Sequence, residues 1–190
     1  VKIEATSFTI GEPVTAIKIS PLIYELATNE EKSILEKQYD VKPFDVKTIT
    51  MERIFVDKLF AAESYVRKSK NEHKAFEAAK HIYDLTVMET QPEIESLLQS
   101  EKELKKLLKI RFTEEKERLD GIKNVLPTDF TFFTQAVQDK NVCIAYEKML
   151  QQYVMRYEDR ISLEAVKNSL KQIEIKLLKN PAWYKCDYLK

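Results

Sequence analysis

The sequence predicts an α+β protein that is predominantly helical, with a small sheet in residues 1–50 followed by a helical bundle in residues 51–190. Two observations lead there. In the first fifty residues apolar side chains recur at every second position in two or three short runs, the period of half-buried strands. From Thr50 onward the period lengthens to 3.6, that of amphipathic helices. A chain of 190 residues is long enough to bury a core of its own, as one domain or two small ones.

Val1, Ile3 and Ala5 alternate with Lys2, Glu4 and Thr6, which reads as a strand ended by the turn residues Gly11, Glu12 and Pro13. A second strand is expected over Val14–Ile19. Ser20 and Pro21 then read as the cap and first position of a short helix whose stripe is Leu22, Ile23 and Leu26. A polar helical segment follows at about 29–38, and Phe44–Ile49 alternates as a third strand, so the first fifty residues read as a small sheet with a helix across it.

Thr50 opens a helix over about 51–68, in which Ile54, Phe55, Leu59, Ala62 and Val66 recur at helical spacing. After a polar break, Ala75, Phe76, Ala79, Ile82, Tyr83 and Val87 mark a second helix that stops before Gln91 and Pro92. Further helices are expected at about 92–98 and 101–119. Gly121 and Pro127 punctuate a loop, and Thr128 and Asp129 cap a helix with Phe130, Phe133 and Val137 inward. Helices at about 140–158 and 162–179 precede a tail that Trp183 and Tyr184 are expected to pin.

Composition removes several classes of function. The chain carries 31 basic and 31 acidic side chains, so attraction to nucleic acid has to come from a local surface and not from net charge. Cys143 and Cys186 have no C-x-x-C spacing and no histidine cluster beside them, against a disulfide framework or a zinc site. With only 2 glycines, Gly11 and Gly121, no glycine-rich phosphate loop of the Walker or Rossmann kind is possible. No apolar run approaches the roughly 18 residues of a membrane span, and Val1–Gly11 lacks the pattern of a signal peptide, so a cytoplasmic location is expected. The chain opens on Val1, inside a strand pattern, and a preceding segment is expected.

The most specific pattern runs from Phe44 to Leu85. It consists of the strand Phe44–Ile49, then a helix with Glu52 six residues before Lys58, then Lys80, His81, Ile82, Tyr83, Asp84 and Leu85 on the next helix. By charge alone Lys58 and Asp84 read as an interhelical ion pair. The order of strand, Glu-Arg-x-Phe-x-x-Lys and Tyr-Asp-Leu resembles the AbiEii-type nucleotidyltransferase toxins, with Glu52 and Lys58 on the family's third motif and Lys80 and Asp84 on its fourth. The common arginine-led opening of that fourth motif appears here as Lys80 and His81, which keeps the charge but not the hydrogen-bond geometry.

The resemblance implies a partial nucleotidyltransferase-fold sheet followed by the bundle, and transfer of a nucleotide from a nucleoside triphosphate to an RNA such as tRNA. It also implies magnesium as cofactor, a cognate antitoxin as partner, and a place in a toxin–antitoxin or phage-defence (abortive infection) system. Lys58 would then bind phosphate, Asp84 would orient the lysine or the acceptor, and Glu52 would buttress Lys58. Lys80 and His81 would contact nucleotide or substrate. Glu4, flanked by Ile3 and Ala5, would help to hold the metal. The family's Gly-Ser and Asp-x-Asp motifs occur nowhere in the 190 residues, so the chain looks like the C-terminal two-thirds of the family's domain and is expected to be inactive alone.

Other features read more simply. Lys102, Lys105, Lys106, Lys109 and Arg111 form a basic helical edge that could meet an RNA backbone, but the interspersed Glu101, Glu103, Glu114 and Glu115 favour a solvated surface. Tyr146, Tyr153 and Tyr157 stand at helical spacing, where core packing is the default. Against the enzyme stands one reading of another class: a non-catalytic helical module that binds a protein partner and keeps Lys58 and Asp84 as structure.

Overall fold

The computed structural model describes residues 12–117 and 121–189. The strand expected over Val1–Gly11, with Glu4 on it, lies outside the described residues. What is described forms two compact units that divide between Thr50 and Met51.

The first unit is a two-stranded antiparallel sheet of β1 (Val14–Ile19) and β2 (Phe44–Ile49), paired from Val14 opposite Ile49 to Ile19 opposite Phe44. That register gathers Ile17 and Ile19 with Phe44 and Val46 on one face and sets Lys18 opposite Asp45 on the other, so the apolar alternation of both strands points the same way. The connection holds α1 (Leu22–Leu26) and α2 (Asn29–Tyr39). Thr28 caps α2 through a capping box, its hydroxyl accepting from the Glu31 amide at 3.3 Å while the Glu31 carboxylate accepts from the Thr28 amide at 2.8 Å.

The second unit is all helix among its described residues. It runs through α3 (Met51–Val66), α4 (Glu72–Met88), α5 (Pro92–Gln99), α6 (Glu101–Glu117), the short α7 (Phe132–Gln135), α8 (Lys140–Tyr153), α9 (Leu163–Leu178) and α10 (Pro181–Tyr184). The protein is therefore α+β and mainly helical. Helices α3 and α4 form an antiparallel hairpin around the polar turn 67–71, where the Asn71 side chain accepts from the Lys74 amide at 3.1 Å and starts α4. Phe55, Val56, Leu59 and Ala62 of α3 and Ala75, Ala78, Ala79, Ile82 and Leu85 of α4 are all buried. The other side of α4 packs on α8 and α9, which places α4 at the centre of the bundle.

Several expectations need correction. The helix expected over about 140–158 ends at Tyr153, and residues 154–162 form a loop with one short turn at Tyr157–Asp159. Tyr146 is buried as expected, but Tyr153, the last residue of α8, is on the surface, and so is Tyr157, because the chain has left the helical path before it. The segment after Pro127 is a 3₁₀ turn, Pro127–Asp129, before the four-residue α7. In the tail Trp183 is buried against Phe130 and Phe133, whereas Tyr184 is exposed.

Asp139 caps α8 and ties it to the α3–α4 turn. Its carboxylate accepts from the amides of Asn141 at 2.8 Å and Val142 at 3.1 Å and from the Ser69 hydroxyl at 2.6 Å. Burial by itself would raise this carboxyl, but the bonds from Ser69, Val142 and Asn141 outweigh it and hold the pKa below the ordinary value. A carboxyl lowered on folding adds stability above its unfolded pKa of about 3.9, and that stability is lost as pH falls through the folded value. Asp139→Ala is expected to cost about 1 kcal/mol at neutral pH, measured by urea unfolding, and its difference from the parent chain should shrink below about pH 4. A difference that does not vary with pH would show that the charge of Asp139 is not what caps the helix.

Candidate active site

The α3–α4 hairpin brings Lys58 and Asp84 together. Lys58 Nζ donates to Asp84 Oδ2 at 2.5 Å, and the two side chains are 26% and 38% exposed. A pair this accessible is worth about 0–1 kcal/mol of stability, so the fold does not depend on it. It sits at the side of an open cleft of about 500 Å³ in the helical unit. The floor of the cleft is the polar stripe of α4, where Glu77, Lys80 and Asp84 follow at three- and four-residue spacing with His81 and Tyr83 beside them, and its far wall is the end of α8 and the start of the α8–α9 loop.

Lys80 lies in the cleft paired to Glu77 at 2.7 Å, with its ammonium 5.6 Å from the centre of the Tyr153 ring and 6.0 Å from that of Phe76. His81 is half-buried, its ring stacked on Tyr65 at 5.3 Å, and so presents an edge to the cleft. Glu52 does not join them. It is half-buried in the first turn of α3, six residues from Lys58 and hence about 120° around the helix, and among the described residues it makes no hydrogen bond or ion pair with Lys58. The residue that holds Lys58 is Asp84.

Tyr83, next to Asp84, donates to the carbonyl of Asp159 in the far wall of the cleft at 2.9 Å. Burial first, and then the charges of Asp159 and Asp84, push its phenol up, so it stays protonated and able to donate at neutral pH.

A charge network that sequence reasoning missed supports the start of α3. Arg53 is buried and donates to Asp57 at 2.9 Å and to Glu114 of α6 at 2.5 Å, and Arg111 of α6 lies 3.5 Å from Asp57 and pairs with Glu115. Glu115 in turn accepts from the amide of Ile122 at 2.9 Å. Burial pushes the Asp57 carboxyl up, against the pull of the Arg111 and Arg53 guanidiniums. Arg111, Glu114 and Glu115 are thus buried, Lys105 is half-buried, and the solvated surface expected for this edge holds for Lys102, Lys106, Lys109, Glu101 and Glu103. Charges three and four apart look alike on a surface helix and in a buried network, and the partner that decides between them, Arg53, is distant in sequence. The available signal was that Arg53 stands three and seven residues before Val56 and Phe60, on an apolar face of the helix.

Among the described residues no three His, Cys, Asp or Glu side chains converge as metal ligands. In the cleft Asp84 is paired with Lys58 and Glu77 with Lys80.

The family model for the nucleotidyl transferase AbiEii toxin of type IV toxin–antitoxin (TA) systems matches residues 1–172. The chain belongs to this family. Membership implies an antitoxin as partner. No curated protein and no solved structure matches the chain. Among the described residues no helix is long and apolar enough to cross a membrane.

Removing Arg53 leaves the carboxylates of Asp57 and Glu114 to Arg111, which Glu115 already shares. Arg53→Ala is expected to destabilise the chain by about 3–5 kcal/mol, against at most about 1 kcal/mol for Lys58→Ala, both read by chemical denaturation. Equal losses would contradict the contrast between the two sets of charges.

Proposed function

We propose that the Lys58–Asp84 cleft is part of a nucleotidyl-transfer site that moves a nucleotide from a nucleoside triphosphate to an RNA, with tRNA the acceptor that the resemblance implies. The single observation that carries this reading is the half-exposed Lys58–Asp84 pair in a cleft, with both residues on the family's motif positions. A core ion pair would be sealed from water, and this one is not. This pair is held in place yet open to exchange.

In the reaction an acceptor hydroxyl oxygen attacks the α-phosphorus of the triphosphate, the bond to pyrophosphate breaks, and the hydroxyl proton passes to water. Lys58 is suited to neutralise charge on the triphosphate as a compact, mobile cation. When its ammonium turns to phosphate, Asp84 is released from its partner and can accept a hydrogen bond from the attacking hydroxyl and orient it. Lys80 and the edge of His81 lie along the same floor, in reach of the nucleotide.

Magnesium belongs to this reading as an ion held by carboxylates together with the substrate phosphates. Glu4 is one candidate. The Gly-Ser and Asp-x-Asp motifs, absent from these 190 residues, would have to come from a further segment or another chain, so the chain alone is expected to be inactive. A partial nucleotidyltransferase sheet in the first unit, a cytoplasmic location and a role in phage defence accompany the same proposal.

The test is transfer of label from nucleoside triphosphates to total tRNA by the protein as encoded, together with the product of any adjacent coding frame. Lys58→Ala and Asp84→Asn should each lower labelling by about 100-fold, the scale of losing one charge-stabilising group. The melting temperature should move by no more than about 2–4 °C, as for a loss of about 1 kcal/mol. Undiminished labelling by Lys58→Ala would return the pair to a structural role, and absence of any labelling by the parent protein would favour the protein-interaction module.

A further inference from the structure

The α8–α9 loop beside the cleft presents large side chains to solvent from a backbone that is tied down. Tyr83 donates to the Asp159 carbonyl at 2.9 Å, Tyr146 donates to that of Ile161 at 2.8 Å, and buried Val154 roots the start of the loop. From this pinned segment Met155 stands 88% exposed and Tyr157 81% exposed, with Tyr153 at 61% just before it. Apolar side chains held outward by hydrogen-bonded backbone mark a recognition surface more than a loose loop does. The cations complete the pattern. Lys80 lies 5.6 Å from the centre of the Tyr153 ring and Arg160 lies 5.5 Å from that of Tyr157. Arg156 lines the cleft and has no carboxylate partner among the described residues.

We propose that this rim, with Tyr153 and Tyr157 as stacking faces and Arg156 as a phosphate contact, grips a single-stranded end of the acceptor RNA and feeds it into the cleft. The proposal rests on reading the cleft as a transfer site. Aromatic faces bind any unstacked base, and a guanidinium beside them meets the backbone phosphate, the combination that single-stranded nucleic acid uses. Glu158 and Asp159 stand on the same loop as Arg156 and Arg160, so the rim has no net charge and binding is carried by stacking with few phosphate contacts. Continuity with the cleft favours RNA over a protein partner: Tyr153 and Arg156 belong both to the rim and to the cleft wall, so whatever stacks there leads to Lys58 and Asp84.

The test measures binding apart from chemistry. A short fluorescein-labelled RNA with a single-stranded 3′ end is titrated by anisotropy, without triphosphate, against the full chain and its variants. Tyr153→Ala and Arg156→Ala should each weaken binding about tenfold, and Tyr153→Phe, which keeps the ring, should bind as the parent does. Arg156→Ala should also reduce the slope of log K against log salt by about 0.7, one phosphate contact on a single strand. Unchanged melting curves for these surface variants show that the fold is intact. A parent chain that does not bind the RNA, or variants that bind it as tightly as the parent, would overturn the proposal. So would variants that keep RNA binding but no longer co-purify with a protein partner, which would assign the rim to protein docking. Rim-dependent binding without any transfer would refute the transfer reading alone, and Lys58-dependent transfer with rim-independent binding would refute the rim alone.

Discussion

Helix α4 has to serve three neighbours at once, and its side chains show how. It packs on α3, α8 and α9, and its buried positions are Ala75, Ala78, Ala79, Ile82 and Leu85. Three alanines in the first half leave little bulk there, so α3 can come close on one side and α8 on the other without a large residue holding either away. The branched and longer buried residues, Ile82 and Leu85, are in the second half, and Lys176 of α9 pairs with Glu89 just past the end of α4. A large side chain at Ala78 or Ala79 would force the hairpin open and carry Lys58 away from Asp84. The charged pair is thus set by an apolar constraint and does not itself hold the helices together.

The two groups of charges in the helical unit differ in their physical standing for the same reason. Arg53, Arg111 and Glu114 are buried, with Asp57 half-buried beside them, and the buried charges are tolerated only because the others answer them. They bind the start of α3 to α6 and so fix the helix from which Lys58 projects. Lys58 and Asp84 remain partly hydrated and can exchange partners at little cost. A rigid buried network behind an exchangeable pair is an arrangement that keeps a reactive group in position while leaving it free to act.

Strands β1 and β2 were legible to the residue because a period of two is hard to mistake when turn residues bound it. Helices α3 and α4, and the meeting of Lys58 with Asp84, were legible because two strongly periodic segments joined by a short polar break have few ways to pack. The role of the α6 charges was not, since burial of Arg111, Glu114 and Glu115 depends on a partner in α3 that no local pattern reveals. Tyr153 and Tyr157 were misread for a related reason. Their spacing continues the helix of Tyr146, and nothing in the intervening Val154, Met155 and Arg156 forbids helix, yet the backbone turns away at Tyr153.

The polar stripe of α4 brings these observations together. On an ordinary surface helix the stripe opposite the apolar face is solvated, but Glu77, Lys80, His81, Tyr83 and Asp84 are all only partly exposed. They are screened because the end of α8 and its loop rise beside them, and that loop is held in place by Tyr83 from the same stripe. The consecutive residues Tyr83 and Asp84 therefore divide the work of one motif, the tyrosine fixing the wall of the cleft and the aspartate holding the lysine within it. Tyr-Asp-Leu follows as a unit from this geometry: Leu85 anchors the helix in the core, and only with the helix so oriented do its two predecessors face the wall and the lysine.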